Sequence, residues 1–164
     1  MTDTPQVPEV GPNDLTLTRR IAASPDTVYR CWTDPALIGR WFAPAPGTVP
    51  EAEIEAWPGG RFRVVMEFEE HGRMDGEPGC VLIAEPGRRF AWTTALRPGF
   101  RPALNTDEIE FTADVILAAR DGGCEYTVIA RHRDAEMARR HDEMGFTSGW
   151  GTCADQLAAL AATL

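Results

Sequence analysis

The chain contains no lysine; all 16 of its basic residues are arginine. Schiff-base catalysis, pyridoxal phosphate attachment and a Walker-type phosphate loop each need an ammonium on a flexible stem, so all three are excluded. Cysteine is sparse: Cys31, Cys80, Cys124 and Cys153 lie 49, 44 and 29 positions apart. That spacing has neither the close pairs of a zinc knuckle nor a redox dithiol, and it predicts free, small, buried thiols. His71, His132 and His141 are too scattered to form a metal set. No apolar run approaches the roughly 18 residues that span a bilayer. The N-terminus, with Asp3, Pro5, Pro8, Glu9 and Pro12, has neither the basic start nor the apolar stretch of a signal peptide. A cytoplasmic location away from membranes is therefore expected. The net charge of −9 lacks the clustered cations that grip phosphate backbones, so nucleic acid is not an expected partner.

What is present fits one globular domain: 164 residues, 43% hydrophobic and 25% charged. Residues 1–12, rich in proline and acid, read as a disordered lead to a domain over 13–164. Leu15, Leu17 and Ile21 alternate with polar residues in a first strand. Ser24-Pro25-Asp26 supplies an N-cap, a first-turn proline and a first-turn acid, predicting a short helix through Val28, Tyr29 and Trp32. Asp34-Pro35 restarts the pattern in a second short helix through Leu37, Ile38 and Trp41. From Val49 the period becomes two, and about six strands follow. The turns between them include Pro58-Gly59-Gly60, His71 to Gly76, Pro86-Gly87-Arg88 and Asp121-Gly122-Gly123. One strand is read over Phe90, Trp92, Thr94 and Leu96, another over Ile109, Phe111, Ala113, Val115 and Leu117. Glu51, Glu53 and Glu55 share a strand face, read as a solvated edge, with a cation site as the second reading.

Phe146, Trp150, Cys153, Leu157, Leu160 and Leu164 recur every three or four residues, which predicts a single amphipathic helix closing the chain. His141, beside Arg139 and Arg140, is expected on the surface before it. Gly145 and Gly149 each cost this helix about 1 kcal/mol in propensity. Close approach to a strand explains both, with room for a ligand as the second reading. Strand, two short helices, meandering strands and a long helix define an α+β class.

That order, with Arg20-Ile21, Ser24-Pro25 and Val28-Tyr29, then Thr33-Asp34-Pro35 and Trp41-Phe42, then Pro58-Gly59-Gly60-Arg61-Phe62 and Asp121-Gly122-Gly123, resembles the START-like, helix-grip superfamily. His141, Met144-Gly145-Phe146 and Gly149-Trp150 extend the match. Within the superfamily the chain looks most like the bacterial relatives of the activator of heat-shock-protein-90 ATPase, over Leu15 to Leu164. The resemblance implies a seven-stranded curved antiparallel sheet wrapped around the C-terminal helix, with an elongated apolar cavity between them. Members bind lipids, hormones or polyketides, and some catalyse cyclisation. The eukaryotic chaperone activators carry a second domain that is not found in this sequence.

Ligand cavities are mostly aromatic and apolar. The candidate wall is Trp41, Trp57, Phe62, Met66, Trp92, Phe111, Tyr126, Phe146 and Trp150, each with ordinary core packing as its alternative, together with His132. His132 shares a strand face with Tyr126 and Val128 and reads either as a hydrogen-bonded core histidine or as an orienting group or general base. No Ser/His/Asp or Cys/His pairing emerges from spacing, and Gly59-Gly60 leads into a strand where a dinucleotide site needs a helix, so no catalytic set, cofactor or metal is expected. The leading expectation is a domain that binds a small apolar or amphipathic molecule. A chaperone-associated interaction module and a polyketide-cyclase-like enzyme using His132 or Tyr126 are the alternatives. Val65 and Ile129 are read as outward-facing, and a homodimer is one way to cover them.

Overall fold

Short-range chemistry starts each element of the fold. The structure, a computed structural model, describes residues 5–104 and 109–164, so the first four residues of the expected lead lie outside the described residues. Strand β1 (Asp14–Ile21) turns Leu17 and Ile21 into the core. Helix α1 (Pro25–Thr33) is capped by Ser24, whose hydroxyl accepts from the Thr27 amide at 3.2 Å. Asp34 closes α1 and caps α2 (Pro35–Ile38), accepting from the Ala36 amide at 2.9 Å. The second helix is shorter than expected: beyond Ile38 the amides of Arg40 and Trp41 bond three residues back, so the chain tightens into turns.

The strands that follow are β2 (Thr48–Ile54), β3 (Arg61–Phe68), β4 (Gly72–Met74), β5 (Gly79–Glu85), β6 (Arg89–Thr93), β7 (Leu96–Arg97), β8 (Arg101–Pro102), β9 (Thr112–Arg120) and β10 (Gly123–Arg131). Seven run antiparallel in the order β1-β10-β9-β6-β5-β3-β2, with β4 attached to β3; β7 and β8 form a separate ribbon. The β9–β10 hairpin turns at Asp121 and Gly122, with φ of 50° and 79°, the pair of positive angles that a two-residue type I′ turn needs. Of the glutamate ladder, Glu51 and Glu53 lie on β2, an edge strand, while Glu55 falls just past its end and accepts from the Arg61 amide at 2.8 Å. These two are threaded with guanidinium groups, Arg63 meeting Glu51 and Glu53 at 3.0 Å each and Arg73 meeting Glu51 at 3.2 Å.

Three strand expectations change. The segment His71 to Gly76, read as a turn, contains β4. The strand read through Leu96 stops at Thr93, and the strand read from Ile109 starts at Thr112. Both shifts share a cause: Thr93 Oγ1 accepts from the Ala95 amide at 3.1 Å and Thr94 Oγ1 from the Phe111 amide at 3.0 Å, so side chains replace ladder partners.

A long helix closes the chain as expected, and a shorter one that was not expected precedes it. Asp134 caps α3 (Ala135–Glu143) by accepting from the Met137 amide at 2.8 Å; Gly145, at φ 96°, then turns the chain into α4 (Phe146–Ala161). Leu164 falls beyond the helix end. Helix α4 lies in the concave face of the sheet, where Leu157, Cys153 and Ala154 join Val115, Leu117, Tyr126 and Val128 in the core. Trp32 of α1 is the hub, fully buried with ring centroids 5.0 Å from Trp41, 5.7 Å from Phe42 and 6.0 Å from Phe90.

Val65 and Ile129 face outward as expected, yet both are fully buried within one chain, so neither calls for a second copy. On this convex face Asp114 sits across from Ala91 and Ile129. Arg89 clasps it with bonds of 2.9 and 2.7 Å, and Arg131 adds one of 2.7 Å. Burial would raise the Asp114 pKa, but the two guanidinium groups outweigh it and hold the carboxyl below its ordinary range.

Candidate functional site

A cavity of about 800 Å³ opens between the concave sheet and α4. It exists because β3 divides one edge between two partners. Arg61 and Phe62 pair with Cys80 and Gly79, whereas Met66, Glu67 and Phe68 pair with Met74, Arg73 and Gly72. Residues 75–78 cross the gap. Pro78 has no amide to donate, and Asp75 instead clamps the Arg63 guanidinium at 3.1 and 2.8 Å. The sheet therefore parts beside Val64 and Met66, whose side chains border the opening.

The wall is aromatic. Phe62 and Trp92 stack with centroids 3.9 Å apart and planes 10° from parallel, Trp92 meets Phe111 edge-on at 5.4 Å, and Phe111 meets Trp150 at 6.1 Å. Trp41 and Phe42 are fixed by α4. Gln156 donates to the carbonyls of Trp41 and Ala43 at 2.9 Å each and accepts from the Ala45 amide at 2.8 Å. The Trp41 indole N–H donates to the Cys31 carbonyl at 3.0 Å, which sets the ring's direction. Met74 and Met144 flank the mouth, and the polar contribution comes from Arg63, Glu77, Thr94, Arg97, His71 and His141.

Of the side chains singled out from the sequence, Trp41, Phe62, Met66, Trp92, Phe111 and Trp150 border this cavity. The structure places four elsewhere. Trp57 is 57% exposed, because Pro58-Gly59-Gly60 reverses the chain and leaves the indole on the outside of the β2–β3 turn. Tyr126 is buried in the core, where desolvation pushes its phenol far above the ordinary value. Phe146 begins α4 and packs behind the wall, 5.2 Å from His141 and 5.4 Å from Trp150. His132 also stands behind it, reaching the cavity only through His141, at 2.8 Å.

His141 is the largest correction. Expected on the surface, it is buried with Met137 and Ala138 on the inner side of α3 and borders the cavity. The readable signal was Asp134 followed by Met137 and His141, a cap and an i, i+4 pair within a charged run. The glycines change meaning too. A Cβ on Gly149 would meet nothing within 4 Å, so this residue gives space to the cavity; Gly145 serves the left-handed junction of α3 and α4.

Titration follows burial. Desolvation, then the neighbouring His132, pushes His141 down to about 4. Burial pushes the Cys153 thiol up to about 12, and it donates to the Phe42 carbonyl at 3.1 Å, so it acts as packing and not as a nucleophile. Among the described residues no three His, Cys, Asp or Glu side chains come together as a metal site.

A protein from Nitrosomonas europaea is 34% identical, with a TM-score of 0.88 over 94% of this chain and 97% of its own. A Rhodobacter sphaeroides protein, 22% identical, superposes at 0.79 over 97% and 99% of the two chains. The Activator of Hsp90 ATPase homolog 1-like protein of Aeromonas hydrophila, 16% identical, superposes at 0.69 over 92% of each. Among curated proteins there is no match. The model of one family covers residues 22–162, from the end of β1 to the end of α4: this chain belongs to the Activator of Hsp90 ATPase homolog 1-like family.

Proposed function

We propose that the protein binds a small apolar or amphipathic molecule in the cavity beneath α4. The observation that carries this reading is a cleft of about 800 Å³ with an aromatic wall, bordered by a glycine that leaves helix surface uncovered. Drug-sized ligands occupy clefts of about 300–1,000 Å³ with few polar groups. The methionines at the mouth suit a surface that adapts to its guest. Four free, buried cysteines suit the cytoplasm.

The test is titration with Nile red, a neutral hydrophobic fluorophore. Saturable binding in a one-to-one ratio is expected, abolished by Gly149→Phe, whose ring would occupy the open space. Unchanged binding in that variant removes this site.

An interaction module remains the second reading, favoured by the family's description and by the net charge of −9. It requires stimulation of a chaperone ATPase that fades as salt rises; no stimulation at low salt ends it. The cyclase reading loses its Tyr126 acid, which stands off the cavity wall.

A further inference from the structure

The two histidines behind Phe111 are joined head to tail. His132 Nδ1 lies 2.8 Å from the Asn13 carbonyl oxygen, and His132 Nε2 lies 2.8 Å from His141 Nδ1. A carbonyl only accepts, so Nδ1 of His132 carries the proton and, in the neutral ring, Nε2 is a lone pair. That lone pair needs an N–H opposite, so His141 is also protonated on Nδ1. One backbone carbonyl thereby sets both tautomers, and Nε2 of His141 is left as a bare acceptor.

His141 is 92% buried, on the complement of its 8% exposure, and its ring is packed by Phe111 at 4.6 Å and Phe146 at 5.2 Å. Its Nε2 has no hydrogen-bond partner among the described residues, and it is not one of the side-chain atoms sealed from solvent without a partner. It therefore meets open space, and the cavity is the space that this ring borders.

Resting on the cavity reading above, we propose that His141 Nε2 is the polar anchor of the site and that the guest is an apolar molecule carrying a hydroxyl group that donates to it. A carboxylate brings only acceptors to a lone pair. An ammonium brings donors, but its charge would be stripped of water against aromatic rings. The cavity's guanidinium groups face protein acceptors: Arg63 is held by Asp75, Glu51 and Glu53, and Arg97 reaches the Pro78 carbonyl at 3.5 Å. A neutral hydroxyl satisfies Nε2 without either penalty. His132 is a positioning residue: it selects the tautomer that makes Nε2 an acceptor.

The test compares 2-naphthol with 2-methoxynaphthalene, the same aromatic body with and without the donor, at about pH 8, above the ordinary histidine range. The wild-type protein is expected to bind 2-naphthol about threefold to tenfold more tightly, the effect of one hydrogen bond. His141→Phe is expected to bind both alike. Long-range ¹⁵N–¹H NMR on the wild-type protein supplies a readout that needs no variant. Both rings should be protonated on Nδ1, and 2-naphthol alone should move the His141 Nε2 resonance. In His132→Leu, His141 should lose its single tautomer. Equal wild-type affinities, a preference that survives in His141→Phe, or a proton found on His141 Nε2 overturns the proposal. If both naphthalenes bind alike, the anchor alone fails; if neither binds, the cavity reading fails with it.

Discussion

Acidification should weaken this fold in a window that belongs to His141. Its imidazole is held neutral, pushed from its ordinary 6.5 down to about 4, so between those values the unfolded chain binds a proton that the folded chain refuses. Stability in that interval must rise with pH; the contribution is whole above the ordinary value and is lost as pH falls toward the folded one. Two-state linkage puts the loss between about pH 7.5 and about pH 5 at about 2 kcal/mol. Because the cavity is partly open, solvent screening lowers the expectation to about 1–2 kcal/mol. Glu51, Asp75, Asp114 and Glu136 are all held below their ordinary values, so they lose their contribution only at lower pH. The assay is urea unfolding followed by tryptophan fluorescence at three pH values across the window. His141→Gln, which keeps a donor for His132 but does not titrate, should flatten the profile. A wild-type profile that is already flat, or a variant with the same slope, refutes the burial argument.

Asp114→Asn leaves Arg89 and Arg131 without their shared carboxylate on the convex face and should cost about 3 kcal/mol in urea unfolding; a cost under about 1 kcal/mol would show that solvent already satisfies the arginines. Gly149→Ala, placed in open space within a helix, should stabilise by about 0.5–1 kcal/mol, and a melting temperature lower than wild type would contradict the open wall. Gly145→Ala must hold a Cβ at φ 96° and should destabilise by more than about 1 kcal/mol, with a neutral outcome showing that α3 and α4 do not need that junction. Gln156→Leu strands three backbone groups of the Trp41–Ala45 segment and should cost about 1–3 kcal/mol; Nile red affinity should drop as well, and unchanged affinity would separate this staple from the cavity.

Much of the architecture could be read from local chemistry. Ser24 and Asp34 announce the two short helices, Asp121-Gly122 announces a hairpin, and period-two alternation assigns Phe62, Met66 and Trp92 to the inner face without knowledge of their neighbours. Trp57 was misread because alternation loses parity once Pro58-Gly59-Gly60 reverses the chain. Helix α3 was hidden by charge: its inner side shows only Met137, Ala138 and His141 among arginines and acids. The mouth of the cavity was beyond local reading. His71, Met74, Gly76, Glu77 and Gly79 border it because β3 splits its edge between β4 and β5, a pairing choice set by tertiary contacts and not by any motif. The orientation of the two histidines was equally out of reach, since it depends on a carbonyl at residue 13, more than a hundred positions from the His132 ring that it meets.

The divided edge of β3 has a kinetic consequence. Strand β4 pairs with β3 through three residue pairs, helped by the Arg73–Glu51 and Arg63–Asp75 ion pairs, while β9 and β10 are zipped along nine. Lifting β4 outward would expose the aromatic chamber and leave the long ladders intact, so local opening and global denaturation become separate processes with separate barriers. Amide hydrogens of residues 66–74 should accordingly exchange with solvent sooner than those of β9 and β10, while the frame of the sheet stays closed.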